Sequence, residues 1–124
     1  MGTTTTPLSR ALQQRLRKIV PISALTDLRP LLNTKMNDDF RLDLEQARHE
    51  SPALLEPLAG IDVTAWVGAA ELPEFIRQNQ ALANLWSGFN CCIDQVEEPD
   101  RHHMNIVDGL AEADHPLTHR LLCL

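Results

Sequence analysis

The chain has 124 residues, of which 44% are hydrophobic and 23% are charged, and its formal net charge is −6. This size and balance predict one globular domain over residues 1–124, with a disordered tip at residues 1–6. The acidic charge argues against a nucleic-acid partner, because phosphate groups would be repelled. No apolar run reaches the roughly 18 residues that a membrane-spanning helix needs, so no membrane partner is expected.

The cysteines favour a reducing compartment. Cys91 and Cys92 are adjacent, and neighbouring cysteines bridge each other only with strain, so the chain shows no disulfide framework. The N-terminus also lacks the uninterrupted apolar stretch of a secretory signal. Together these features predict a cytoplasmic protein.

Leucine and alanine far outnumber isoleucine and valine, which favours helices over strands. The first predicted helix begins at Pro7, ends before Pro21 and carries one apolar stripe, formed by Leu8, Leu12, Leu16 and Ile19. This helix would lie on the acidic body of the same chain with the apolar stripe in the core; a transit peptide or a membrane-surface helix has the same composition. Further helices are predicted over residues 23–33, 37–50 and 51–60, although FRLDL at 40–44 also alternates like a strand.

The second half contains the strand candidates. Alternation in IDVTAWV, residues 61–67, predicts a strand, and NCCIDQV, residues 90–96, is its candidate partner. The longest helix is predicted from Pro73 to Phe89, and a terminal helix begins at Pro116. The resulting fold prediction is mainly α: a compact single-domain helical bundle with a small two-stranded β element. An α+β fold is the alternative.

One long segment has no charged side chain: QNQALANLWSGFNCCI, residues 78–93. Amides fit a surface that another polypeptide covers, since a charge costs more to desolvate. We therefore predict that this helix binds another protein through an aromatic anchor; the alternative is a central helix covered by its own chain. The predicted contact residues are Phe75, Asn79, Leu82, Trp86 and Phe89.

The predicted function is accordingly a small acidic protein-binding module, acting as an adaptor, chaperone, inhibitor or regulatory partner. A homodimer is one form that such binding can take. Neither a nucleophile motif nor a phosphate-binding loop is present. The sequence therefore assigns no catalytic residue and favours a non-enzymatic role.

The rival prediction is a metal-binding protein or metalloenzyme. Histidines and cysteines cluster near the C-terminus, and zinc binds imidazole and thiolate groups in a tetrahedral set. Adjacent residues point apart, however, and the paired Cys-x-x-Cys spacing is missing, so the primary expectation is no cofactor and zinc is the alternative. The candidate ligands are Cys91, His115, His119 and Cys123.

Overall fold

The structure, a computed structural model, describes residues 2–122 and is built around a three-stranded parallel sheet. Its strands are β1 (Lys18–Ile19), β2 (Asp62–Gly68) and β3 (Cys92–Glu98). β2 lies in the middle, and its pairing with β3 places Asp62 opposite Cys92 and Gly68 opposite Glu98. β2 is buried along almost its whole length, as expected for a central strand that is covered on both faces.

Helices and 3₁₀ turns surround this sheet. The α-helices are α1 (Arg10–Gln13), α2 (Asn37–Phe40), α3 (Leu44–His49), α4 (Pro73–Trp86) and α5 (Pro116–Leu122). The 3₁₀ turns are Arg29–Asn33, Pro52–Leu54 and Ile106–Ala111. α4 is the crossover helix that parallel strands require, and its proline at the first position loses no hydrogen bond there. Over residues 2–122 no helix is both long and apolar enough to cross a membrane.

Two apolar clusters cover the two faces of the sheet. Ala65 of β2 belongs to one cluster with Trp86 of α4. The neighbouring Trp66 belongs to the other, with Ile106 and Leu117. Because successive side chains of a strand point to opposite faces, α4 lies on one side of the sheet and the C-terminal segment on the other.

The prediction of a mainly α helical bundle is wrong, because the fold is α+β with a parallel sheet. The two predicted strands are present, at Asp62–Gly68 and Cys92–Glu98 instead of 61–67 and 90–96. They pair in parallel through the α4 crossover, so they form the centre of the domain and not an addition to a bundle. Periodicity identifies a strand but does not give the direction of its partner.

The first predicted helix is also too long. α1 covers only Arg10–Gln13, and Ser9 caps it by accepting a hydrogen bond from the Leu12 amide at 3.4 Å. The chain then becomes extended, and Lys18–Ile19 forms the third strand beside β2. β-branched residues such as Ile19 favour that conformation.

Two other segments differ from their predictions. The predicted helix over 37–50 is broken at Arg41, whose φ of 52° is left-handed, and α3 starts anew behind a capping box between Asp43 and Gln46. Residues 2–4, predicted as part of a disordered tip, contact residues 56–58: the Leu58 amide donates to the Gly2 carbonyl at 2.8 Å. The N-terminal segment therefore packs on the domain.

The uncharged segment is covered by its own chain only in part: Gln78 and Asn79 are buried, whereas Gln80 and Asn84 are exposed. The Gln78 side chain is 1% exposed, and its Nε2 donates to the Asp27 carbonyl at 2.7 Å. Its Oε1 accepts from the amides of Thr26 at 2.9 Å and Asp27 at 2.6 Å. This side chain therefore satisfies backbone groups of an irregular segment as a neighbouring strand would do.

We expect Gln78→Ala to lower the free energy of unfolding by about 2–4 kcal/mol, because it leaves buried backbone groups unpaired. The matched control is Gln80→Ala on the same helix, since Gln80 is exposed and contacts Glu97. We expect that change to stay within about 0.5 kcal/mol. Urea denaturation measures both values, and equal effects of the two substitutions would contradict the role of Gln78.

Acid should destabilise the protein partly through Asp27. Arg29 donates to both Asp27 carboxylate oxygens at 2.9 Å, which outweighs burial and lowers the pKa of Asp27 below 3.8. The carboxylate therefore stabilises the fold above the ordinary pKa, and this contribution is lost as the pH falls through the lowered folded pKa. Below pH ~4 we expect the free energy of unfolding to fall less steeply with pH in Asp27→Asn than in the wild-type protein. Urea denaturation at a series of pH values measures this, and equal slopes in the two proteins would refute it.

Candidate active site

Two turns meet at one edge of the sheet. β2 ends at Gly68 and β3 ends at Glu98, and these two residues are direct partners in the parallel register. The turn after β2 carries Glu71, and the turn after β3 carries His103. Side chains that follow neighbouring parallel strands gather at the carboxyl edge of a sheet, where open α/β sheets bind their ligands.

Glu71 and His103 form a hydrogen-bonded pair at this edge. The His103 Nδ1 lies 2.9 Å from the Glu71 Oε2. The Glu71 side chain is fully buried, whereas the His103 side chain is 51% exposed. Phe75, in the first turn of α4, stacks on the imidazole with ring centroids 4.5 Å apart. The pair thus consists of an enclosed acid and a half-exposed imidazole.

Further donors hold the Glu71 carboxylate in place. Its Oε1 accepts from the Gly68 amide at 3.0 Å and from the Ser23 hydroxyl. Ser23 adopts a left-handed φ of 48°, and its amide donates to the Trp66 carbonyl. Burial raises the pKa of Glu71, but the hydrogen bonds from Ser23, Gly68 and His103 outweigh it, so the pKa is lowered overall. Glu71 is therefore an anion at neutral pH.

This arrangement fixes the imidazole as a base. An ionised carboxylate only accepts hydrogen bonds, so the proton of the neutral His103 ring lies on Nδ1. The lone pair of Nε2 is then left to take a proton, as in the histidine of an acid–histidine–nucleophile triad. Within residues 2–122, no serine, threonine or cysteine side chain hydrogen-bonds His103. The Ser23 hydroxyl is used by Glu71.

The predicted partner-binding residues are dispersed by the fold. Leu82 and Trp86 are buried in the core, where the Trp86 indole donates to the Leu55 carbonyl at 3.0 Å. Asn79 is buried as well, and Phe89 is exposed in the turn that follows α4. Phe75 is the member of this set that reaches the acid–histidine pair.

The candidate metal ligands do not converge in the described residues. His115 Nε2 contacts Glu98 Oε1 at 3.1 Å, and the Cys91 thiol donates to the Trp86 carbonyl at 3.4 Å. Over residues 2–122, no three histidine, cysteine, aspartate or glutamate side chains are grouped to hold a metal ion. Cys123 lies outside the described residues, so a site that includes it stays a prediction.

Glu71 and His103 were not among the predicted site residues. The clustering of histidines and cysteines favoured a metal site near the C-terminus, and the polar turn over residues 97–103 contains no catalytic motif. The available signal was topological: two strands joined by a long helix are parallel, so residues just after them share one edge.

Comparisons with known proteins identify relatives of this chain. No protein-family model matches it. The kynurenine formamidase of Salmo salar is 30% identical over 110 residues, which are 82% of this chain and 36% of that protein. The kynurenine formamidase of Danio rerio is 30% identical over 108 residues, with the same two coverages. The chain therefore spans about a third of these relatives.

A solved structure resembles the fold closely. A protein of Silicibacter sp., provisionally named a thioesterase, superposes with a TM-score of 0.85 and 38% identity. The match covers 93% of this chain and 42% of that one. Similarity to a formamidase and to this protein overturns the prediction of a protein-binding adaptor or chaperone in a helical bundle. These relatives are named as a formamidase and, provisionally, as a thioesterase.

Proposed function

We propose that this chain belongs to a hydrolase that cleaves an amide, ester or thioester bond. His103 is its general base, and Glu71 is the carboxylate that orients His103. The observation that carries this proposal is the 2.9 Å contact between a buried carboxylate and a half-exposed imidazole at the carboxyl edge of a parallel sheet. The acid precedes the histidine along the chain, as it does in α/β-hydrolases. The names of the relatives, a formamidase and a thioesterase, support the same reaction class.

In this mechanism His103 accepts and returns one proton in each half of the reaction. Its Nε2 takes the proton from a hydroxyl or thiol as that group attacks the carbonyl carbon, and Glu71 stabilises the imidazolium. The imidazolium then gives the proton to the departing amine, alcohol or thiol as the bond to the carbonyl carbon breaks. Water then attacks the acyl intermediate: His103 takes a proton from the water and gives it to the departing nucleophile. The carboxylic acid product is released, and His103 is again a base.

Within residues 2–122 no hydroxyl or thiol side chain hydrogen-bonds His103. The nucleophile is therefore proposed to come from another part of the polypeptide. The relatives are longer than the matched region, since this chain covers 36% of the formamidases and 42% of the Silicibacter protein. In α/β-hydrolases the nucleophile precedes the acid and the histidine in the sequence. The part of such a protein outside the match has room to supply it.

The surroundings of the pair favour an acyl substrate with an apolar part. Leu72 directly follows Glu71, Met104 directly follows His103, and both side chains are exposed. Phe75 adds an aromatic face against the imidazole. Apolar side chains beside a few placed polar groups are typical of small-molecule sites.

We expect His103→Gln to lower kcat by about 1,000-fold or more, because a triad without its base retains only binding and oxyanion stabilisation. The measurement is hydrolysis of p-nitrophenyl esters and of an aryl formamide by the natural protein that carries this sequence. The matched control is His49→Gln, since His49 is exposed and also contacts a carboxylate, that of Glu50. Full activity in His103→Gln would refute the proposed function.

Glu71→Gln should change the tautomer of the His103 imidazole while the ring itself remains in place. Because an amide can donate as well as accept, the neutral His103 ring is no longer held with its proton on Nδ1. We expect kcat to fall about 1,000-fold or more with a smaller change in KM. ¹⁵N chemical shifts of the ring report the tautomer directly, and Glu97→Gln, an exposed carboxylate on β3, is the control. An unchanged tautomer would exclude the positioning role of Glu71.

A further inference from the structure

A second polar cluster lies behind the acid–histidine pair and is centred on Glu98. The Glu98 side chain is 12% exposed and contacts side chains from three parts of the chain. Its Oε2 accepts from the Trp66 indole at 2.7 Å. Its Oε1 contacts the Arg101 Nε at 3.0 Å and the His115 Nε2 at 3.1 Å. The proposed mechanism uses none of these four side chains.

The cluster is satisfied without a ligand. His115 Nδ1 accepts from the Leu117 amide at 3.2 Å, so the proton of the neutral ring lies on Nε2, which lies 3.1 Å from Glu98 Oε1. A Cβ at Gly109 would lie 2.4 Å from the His115 ring, so that residue has to be glycine for the ring to pack there. A fully partnered and largely buried ion pair of this kind adds little to the free energy of unfolding. Its main effect is to hold the surrounding residues in one geometry.

Arg101 connects this cluster to the acid–histidine pair. Its side chain contacts Glu98, while its carbonyl accepts from the Ala70 amide at 2.9 Å. The same carbonyl would lie 2.3 Å from a Cβ at Gly68, so the two turns touch with no side chain between them. Gly68 and Ala70 belong to the turn that carries Glu71, and Arg101 belongs to the turn that carries His103.

We propose that Glu98 is a positioning residue for His103, an inference that rests on the proposed function. Glu98 holds Arg101, Arg101 holds the turn after β3 against the turn after β2, and the two turns set the 2.9 Å contact between Glu71 and His103. Glu98 touches neither member of the pair. Its effect is on the geometry and tautomer of the imidazole, not on proton transfer itself.

The test is Glu98→Gln in the natural protein that carries this sequence, with NMR of the chain. Glutamine keeps the size of the side chain but removes the charge that binds Arg101. We expect kcat to fall about 10- to 100-fold with KM within about twofold, because a small misplacement of a catalytic group costs that much. The ¹⁵N signals of the His103 ring should shift toward a mixture of tautomers.

The matched control is Asp94→Asn on the same strand. Asp94 also contacts an arginine, Arg120 at 2.8 Å, but that pair is exposed and far along β3 from the turn. We expect its kcat to remain within about twofold of the wild-type value and the His103 signals to remain unchanged. Lower kcat together with shifted His103 signals in Glu98→Gln, and neither change in Asp94→Asn, supports the inference.

Wild-type kcat and His103 signals in a folded Glu98→Gln protein overturn the inference, even where His103→Gln is inactive and the proposed function stands. A lower kcat with unchanged His103 signals overturns it as well. If Glu98→Gln does not fold, Arg101→Gln decides in the same way, since it removes the cation and leaves an amide donor toward Glu98. Full activity in His103→Gln is a separate result that refutes the proposed function itself.

Discussion

The parallel pairing of β2 with β3 is the constraint on which the candidate active site depends. Parallel strands need a crossover, which α4 supplies, and the pairing brings the ends of both strands to one edge. Glu71 and His103 are 32 residues apart in sequence and become neighbours only through this pairing. The rest of the site follows from the two turns: the buried carboxylate, its donors and the stacked aromatic ring.

The local elements of this fold were more predictable than their arrangement. Alternation located both long strands, and Pro73 marked the start of α4. The direction of pairing is a non-local property that periodicity does not encode, so the strands were interpreted as an addition to a helical bundle. Leucine-rich segments before residue 60 were predicted as four helices, two of them short, although they form only brief α-helices and 3₁₀ turns that pack through tertiary contacts. β1 has two residues, too few to show a pattern.

The candidate site was missed because residue type was weighed without topology. The histidine and cysteine cluster attracted a metal hypothesis, yet the His115 ring contacts the Glu98 carboxylate and accepts from the Leu117 amide. His103, in a polar turn, gains its chemistry from Glu71, which the sequence places far away. The uncharged segment was predicted to be a covered surface, but the amide of Gln78 is satisfied by residues 26–27 of the same chain, and Gln80 and Asn84 are exposed. Composition indicates that polar groups are buried and does not say which polypeptide buries them.

The contact between residues 26–27 and α4 depends on the side-chain amide of Gln78, so it is sensitive to a change of one atom. Its nitrogen donates to two acceptors, the Asp27 carbonyl at 2.7 Å and the Glu74 carboxylate at 2.8 Å. Deamidation, the slow hydrolysis that ages glutamine and asparagine at high temperature, replaces that nitrogen with an oxygen whenever local opening admits water. The new carboxylate would confront two oxygens in a site closed to water. Chemical ageing at this one buried position would therefore loosen the segment before α4 while leaving every hydrophobic contact of the core unaltered.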